Sequence, residues 1–426
     1  MISSHLWDKL RTRFKELWKQ KIFRYTLILH GLYFLISIIL TLLLFPNQND
    51  FRVYYKVGEV VLTDIRVLYT TTYNWPFRYL PISSLYFVPF YLMGFEIGFI
   101  FFNIINLILN ILISWILYKI IILVRRDDYE KDNTRVILYI CLYLISVPQV
   151  FNYILGQINL YITLLILISL YIFIVKEGMK WDLMGGIILG LSIILKPTTI
   201  FMIPFLIIMR YDFEQKKIEF QFRRSITRVV GVILPLLSNI IMFVMYPELL
   251  TGFLTKNFTG SDTIISNHSF SITKLISNLL LFINIPQESI PIFQIFLSIV
   301  LIISIIGFLV YMFRRSIQYP LLYGYTFGIL IMFLTYFDSW DHHLLNLIPL
   351  LTIVLFNLPR SSQISKKSIK PSLFFFYFFD LAFMGLFFLI KDFFPFNFAS
   401  TIFLILSFYG LSKYCITEKN NKEQNN

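Results

Sequence analysis

Residues 79–93 read YLPISSLYFVPFYLM, and whether this stretch crosses a membrane or turns back decides how the rest of the chain is threaded. It is apolar enough to cross, but Pro81 and Pro89 shorten any helix there. Working outward, the surrounding chain holds apolar runs near 22–45, 95–124, 134–148, 157–175, 183–195, 198–210, 229–246, 291–313, 319–337, 342–357, 372–391 and 398–412. A spanning helix needs roughly 20 apolar residues. If 79–93 turns back, the basic segments fall on one side: 1–24, 125–135, 176–180, 210–228, 314–315, 360–370 and the tail after Leu411. Of 37 Lys and Arg, all but Arg52, Lys56, Arg66, Arg78, Lys196, Lys256, Lys274 and Lys391 then share that face. If 79–93 crossed, the Arg125-Arg126 loop and every later loop would flip. The positive-inside rule therefore predicts about twelve spans, both termini cytoplasmic, in an all-α polytopic transmembrane bundle.

Composition agrees. The chain has 426 residues, 57% hydrophobic and 14% charged, with mean hydropathy +0.73. A chain this apolar needs lipid as solvent, which excludes a soluble enzyme. The net charge of +13 is topogenic and attracts anionic membrane lipid; it is not a nucleic-acid footprint. Cys141 and Cys415 cannot form a disulfide framework, and no zinc spacing occurs. The apolar run after the basic N-terminus is too long for a signal peptide and reads as a retained anchor. The expected organisation is one membrane domain over 1–412, with outer loops near 46–94 and 247–290, and a disordered cytoplasmic tail over 413–426. In the first outer loop Val53, Val57, Val60 and Val61 recur at helical spacing and predict a short interfacial helix. In the second, ITKLISNLLLF predicts another, after two glycosylation sequons at Asn257 and Asn267.

With this threading, the polar residues flanking the spans emerge on the face opposite the basic loops: Asp50, Gln157, Lys196, His268 and the pair His342-His343. Ionisable groups at such depth are costly and line sites or pathways. Asp50 stands one turn past the first span. There it is either a helix-end aspartate or a partly desolvated general base. Arg52, Tyr54 and Arg78 flank it in sequence, and outer arginines either clamp phosphate or anchor the interface. Lys196 sits in LSIILKPTTIF between two spans with no loop, placed to meet an anionic headgroup or to snorkel. Gln157 and Asn159 open a span with two amides suited to hydroxyl recognition or to capping. His342 and His343, near Asp338 and Asp341, start another span. Adjacent helical residues point about 100° apart, so one histidine is expected to face the site, and the spacing is not that of an i, i+4 metal pair.

Several stretches taken in order give a family resemblance. NDFRVYYKVGEVVL (49–62), VLY (67–69) and FRYLPISSLYFVPFYL (77–92) come first. LGQINLYITLLILI (155–168), LSIILKPTTIF (191–201), SNHSFS (266–271) and SWDHHLLNLIPLL (339–351) follow. Together they resemble the polytopic glycosyltransferases of family 87, of the GT-C superfamily, over roughly residues 22–357. The resemblance implies a GT-C-like fold and a polyprenyl-phosphate-mannose donor, with no cofactor and no metal. It also implies an inverting transfer to a hydroxyl of a lipid or glycan acceptor on the outer face of the cell membrane. By the same resemblance Asp50 is the catalytic base. His342 or His343 matches an active-site histidine position, and Lys196 in the KP motif meets phosphate. The chain departs from the family pattern at Tyr79-Leu80-Pro81, where the family carries Tyr-Pro-Pro, and at Asp64 or Ile65, where it carries glycine. The competing reading is a transporter or flippase of lipid-linked sugars, which would place polar residues near the midplane of repeated halves.

Overall fold

The computed structural model describes residues 17–44, 49–129, 133–259, 269–315, 317–379 and 398–417. Helix α1 (Lys21–Ile39) ends in a π turn over Leu40–Leu44, and α2 (Asp50–Thr63) follows. A 3-10 segment, Pro81–Phe87, leads into α3 (Val88–Leu92), then the long α4 (Phe95–Val124). Next come α5 (Asn133–Leu144), α6 (Val147–Leu155), α7 (Asn159–Val175) and α8 (Met179–Leu195). A 3-10 segment over Pro197–Leu206 and a hairpin, β1 (Met209–Asp212) and β2 (Lys217–Phe220), separate these from α9 (Phe222–Met245). The remainder is α10 (Pro247–Leu254), α11 (Ile272–Phe282), α12 (Ile292–Met312), α13 (Pro320–Thr335), α14 (Leu344–Asn357), α15 (Lys370–Phe374) and α16 (Ala399–Thr417).

Among the described residues six helical stretches are long and apolar enough to cross a membrane: Lys21–Leu44, Phe95–Val124, Asn133–Leu155, Phe222–Met245, Ile292–Met312 and Ala399–Thr417. An all-α membrane bundle is what the sequence predicted; those of the other predicted spans that lie wholly within the described residues are shorter than that measure. The difference has a physical cause. The long helices α1, α9 and α12 show large apolar side chains such as Leu35, Val244 and Leu301 at the surface. Helix α13 is buried at every residue from Leu321 to Thr335, and α14 along its whole length. A 14-residue helix rises only about 21 Å, short of a hydrocarbon core, but its neighbours rather than lipid cover its ends.

Several expectations are corrected. The predicted span 198–210 is a ten-residue 3-10 segment, Pro197–Leu206, followed by a short strand. Pro197 and Pro204 break the α ladder, and a close approach to α13 holds the segment: a Cβ on Gly328 would lie 2.8 Å from the Met202 Cα. The predicted span 134–148 extends to Leu155 and is interrupted at Ile145-Ser146, just before Pro148. Helix α1 caps the carbonyls freed there: His30 Nδ1 meets the Leu144 carbonyl at 3.0 Å and the Tyr33 hydroxyl donates to Ile145. The C-terminal helix runs through Thr417, so 413–417 are not a disordered tail. Cys415 is buried, its carbonyl accepting from the Arg315 backbone. Residues 418–426 lie outside the described residues, as does 380–391 of the predicted span 372–391.

The segment 79–93 packs along α2. The Tyr79 hydroxyl meets that of Tyr54, and beyond the segment Phe95 packs against Phe51, so both ends touch the first turn of α2. Between them Phe87 and Tyr91 lie against Gly58, where any Cβ would clash. An aromatic cluster built on Phe51, Tyr54, Phe87, Phe90, Phe99 and Phe102 fills this end of the bundle, beside the main core.

Candidate active site at one end of the bundle

Two helix starts and one turn build the site. Asn49 caps α2 by accepting the Arg52 amide at 2.8 Å, which places Asp50 in the first turn. Helix α6 ends at Gly156, whose φ of +66° favours glycine. A Cβ at Gly156 would also sit 2.6 Å from that of Phe51, so its absence lets α2 approach. That approach lays the next residue, Gln157, on Asp50: the Gln157 amide donates to the Asp50 carboxylate. The Gln157 carbonyl accepts from the Tyr54 hydroxyl at 3.2 Å, and Tyr54 meets the Tyr79 hydroxyl at 2.8 Å. Tyr54 is fixed by stacking on Phe87, with ring centroids 4.4 Å apart.

Lys196 enters from the turn between α8 and the 3-10 segment. It is 4% exposed, and its ammonium donates to Asn159 Oδ1 at 2.8 Å, 5.9 Å from the Tyr79 ring centre. It bonds a neutral amide, not Asp50, and each charge senses the other only through space. Burial pushes the Asp50 carboxyl up to about 6, the Gln157 bond and Lys196 pull it back, and Asp338 adds to the rise. Burial pushes the Lys196 ammonium down to about 7 against the pull of Asp50 and Asp338.

Asp338 is held by the Trp340 indole at 2.8 Å and pairs with Arg78 at 3.4 Å, with the Arg78 guanidinium over Phe337. His342 and His343 lie in the 3-10 turn before α14, their rings in edge contact at 4.4 Å. His343 is buried and its Nδ1 accepts from the Trp340 amide at 3.2 Å. Burial, and then Lys196, drive both imidazoles well below their ordinary range. They are therefore neutral hydrogen-bonding groups rather than cations for a phosphate. Both imidazoles sense the Lys196 charge, and their rings stand at 82° to each other.

The structure thus brings together Asp50, Gln157, Tyr54, Asn159 and Lys196, with the histidine pair and Arg78-Asp338 beside them. It does not bring Arg52, which lies over the Phe95 ring at 4.6 Å. Arg52 lines a separate cavity of about 540 Å³ with Tyr55, Lys56, Glu59 and Tyr73. Its side chain leaves the helix on a different bearing from Asp50, two residues earlier. His268 lies outside the described residues. Sequence reasoning missed Lys274, 3% exposed on α11, whose ammonium burial pushes down to about 8 and which senses Asp338 and Arg78. Its signal was a lysine on the polar face of ITKLISNLLLF, the face with Thr273 and Ser277 that the helix buries, while Leu279 and Phe282 are exposed. Among the described residues no group of three or more His, Cys, Asp or Glu is placed to hold a metal.

Such an arrangement offers a carboxylate that exchanges a proton near neutrality, amides and hydroxyls that order it, and buried cations for an anion. The model of glycosyltransferase family 87 matches residues 77–336, more than half of the chain. The match contains Arg78, Gln157, Asn159, Lys196 and Lys274, whereas Asp50 and the histidine pair fall outside it. No curated protein matches the chain.

Proposed function

The chain belongs to glycosyltransferase family 87, and from that premise we propose that it moves a sugar, mannose in the first instance, from a polyprenyl-phosphate donor to a hydroxyl acceptor. Asp50 takes the proton of the acceptor hydroxyl. The oxygen attacks the anomeric carbon from the face opposite the phosphate. The bond from that carbon to the phosphate oxygen breaks, its electron pair leaves with the lipid phosphate, and the anomeric configuration inverts. Lys196 stabilises the departing phosphate, Gln157 orients Asp50, and His342 or His343 hydrogen-bonds donor or acceptor. No metal or cofactor is assigned a step.

The observation that carries this reading is the treatment of Asp50. Its carboxylate is half-buried, held by the neutral Gln157 amide and near Lys196 without being bonded to it. A base must be able to accept a proton; a tightly paired carboxylate is stabilised in its charged form and poorly able to do so. The site end lies away from the end where Arg126, Arg224, Arg228 and Arg314 are held. By the positive-inside rule that supports an outward-facing site and cytoplasmic termini.

The test uses purified protein with labelled polyprenyl-phosphate-mannose, its glucose counterpart and a native lipid extract. Label is expected to pass from the mannose donor to a product with inverted anomeric configuration, which identifies the acceptor. Donor moved across vesicles without any transfer would replace the enzyme reading with the transport one. Transfer from the glucose donor alone would overturn the mannose assignment.

A further inference from the structure

At the rim opposite this site, three guanidinium groups surround one cavity of about 190 Å³. Arg210 comes from β1, and Arg314 and Arg315 follow the end of α12. Arg314 is 5% exposed and fixed: its Nη1 donates to the Met209 carbonyl at 2.8 Å and to the Tyr311 carbonyl. A guanidinium has five N–H donors, so Nε and Nη2 carry three beyond those on Nη1. Arg315 donates to the Ile416 carbonyl and covers the Phe213 ring at 4.5 Å. The lining carboxylate, Glu219, pairs with Arg210 at 2.9 Å, and the lining keeps a net positive charge.

Three features give the cavity its ligand class. Its volume equals about six waters of liquid, room for a phosphate headgroup and not for an acyl chain. Its depth is that of a headgroup, because it lies where α9 begins and α12 ends, two helices long enough to cross a membrane. Nearby on the hairpin and at the start of α9, Phe213, Ile218, Phe220 and Phe222 expose apolar side chains. A soluble anion site gains nothing from such surroundings, whereas a lipid places its phosphate in the cavity and its chains along them.

We propose that this cavity binds the phosphate of an anionic glycerophospholipid and so fastens the hairpin to the ends of α9 and α12. The test compares delipidated full-length protein given phosphatidylglycerol, phosphatidylcholine or millimolar inorganic phosphate. Retention is read by native mass spectrometry and melting by thermal shift. Phosphatidylglycerol alone is expected to be retained and to raise the melting temperature. The double variant Arg210→Gln, Arg315→Gln is expected to bind it roughly 30-fold more weakly. Arg223→Gln changes an exposed arginine outside the cavity lining and is expected to behave as wild type. Arg314 is left in place because it holds two backbone carbonyls; should the double variant unfold, Arg315→Gln alone supports the same comparison. Equal protection by phosphatidylcholine, or an Arg223→Gln loss as large as that of the cavity variant, would overturn the site. Equal protection by inorganic phosphate would overturn the lipid assignment.

Discussion

Helix α8 carries a buried charge at each end, and the two are treated in opposite ways. Near its start Asp182 is 1% exposed and receives Arg224 and Arg228, each at 2.7 Å, one on either oxygen. The contact is made possible by glycines: a Cβ at Gly186 would lie 2.3 Å from the Arg228 carbonyl, and one at Gly231 2.4 Å from that of Leu183. Just past the other end Lys196 is equally buried, yet it bonds the neutral Asn159 and leaves Asp50 to the neutral Gln157. A buried charge that only has to hold helices together is saturated by partners. A buried charge left to neutral amides can still respond to a ligand, and such under-compensation marks functional sites.

The contrast can be broken most sharply at Asp50. Asp50→Asn is expected to lower turnover about 10²–10⁴-fold, the usual contribution of a general base, while the protein stays folded. Its effect on stability has a definite sign. The Asp50 carboxyl is raised from its ordinary 3.8 to about 6. It therefore favours the folded state most below its unfolded range, and that contribution is lost as pH rises through about 6. Asn removes the penalty, so the variant should melt higher than wild type above pH 7, and a lower melting temperature there would count against the picture. Asp182→Ala should do the reverse. It strands the buried Arg228 and costs about 3–5 kcal/mol, read by thermal or denaturant melting, with unchanged turnover per folded molecule. Lys196→Gln is expected to cost roughly 10²–10³ in rate, the scale of one lost electrostatic donor, with little loss of stability. A Lys196→Gln variant that melts like Asp182→Ala would make Lys196 structural. Gly156→Ala should cost about 1–3 kcal/mol from positive φ and overpacking. Because the same Cβ would push Phe51 and Asp50 away from Gln157, turnover should also fall several-fold.

Much of the arrangement was legible because the chain punctuates it. Gly156-Gln157 ends one helix, Lys196-Pro197 ends another, and Asp50 follows the first span after a short loop. Once loop charge fixes the threading, those ends must share a face. What hydropathy could not supply was whether an apolar helix faces lipid or protein. Helices α13 and α14 are short because other helices surround them, so the count of spans was not legible. Side-chain bearing was equally hidden. Arg52 and Asp50 are two residues apart on one helix and point to different neighbours. Lys274 is far from the other site residues in sequence, and only the docking of α11 brings it near Asp338. The hairpin 209–220 escaped because its sequence, MRYDFEQKKIEF, is densely charged and reads as a loop.

The central claim is that Asp50, left without a bonded cation, takes the acceptor's proton. Single-turnover transfer from labelled polyprenyl-phosphate sugar, followed across pH on either side of 6, tests it most directly. The rate should climb tenfold per pH unit below about 6, where the carboxyl is protonated, and level off above it. The residual rate of Asp50→Asn should lack that limb. A wild-type rate flat through this range, or a limb that persists in Asp50→Asn, would show that the proton goes elsewhere.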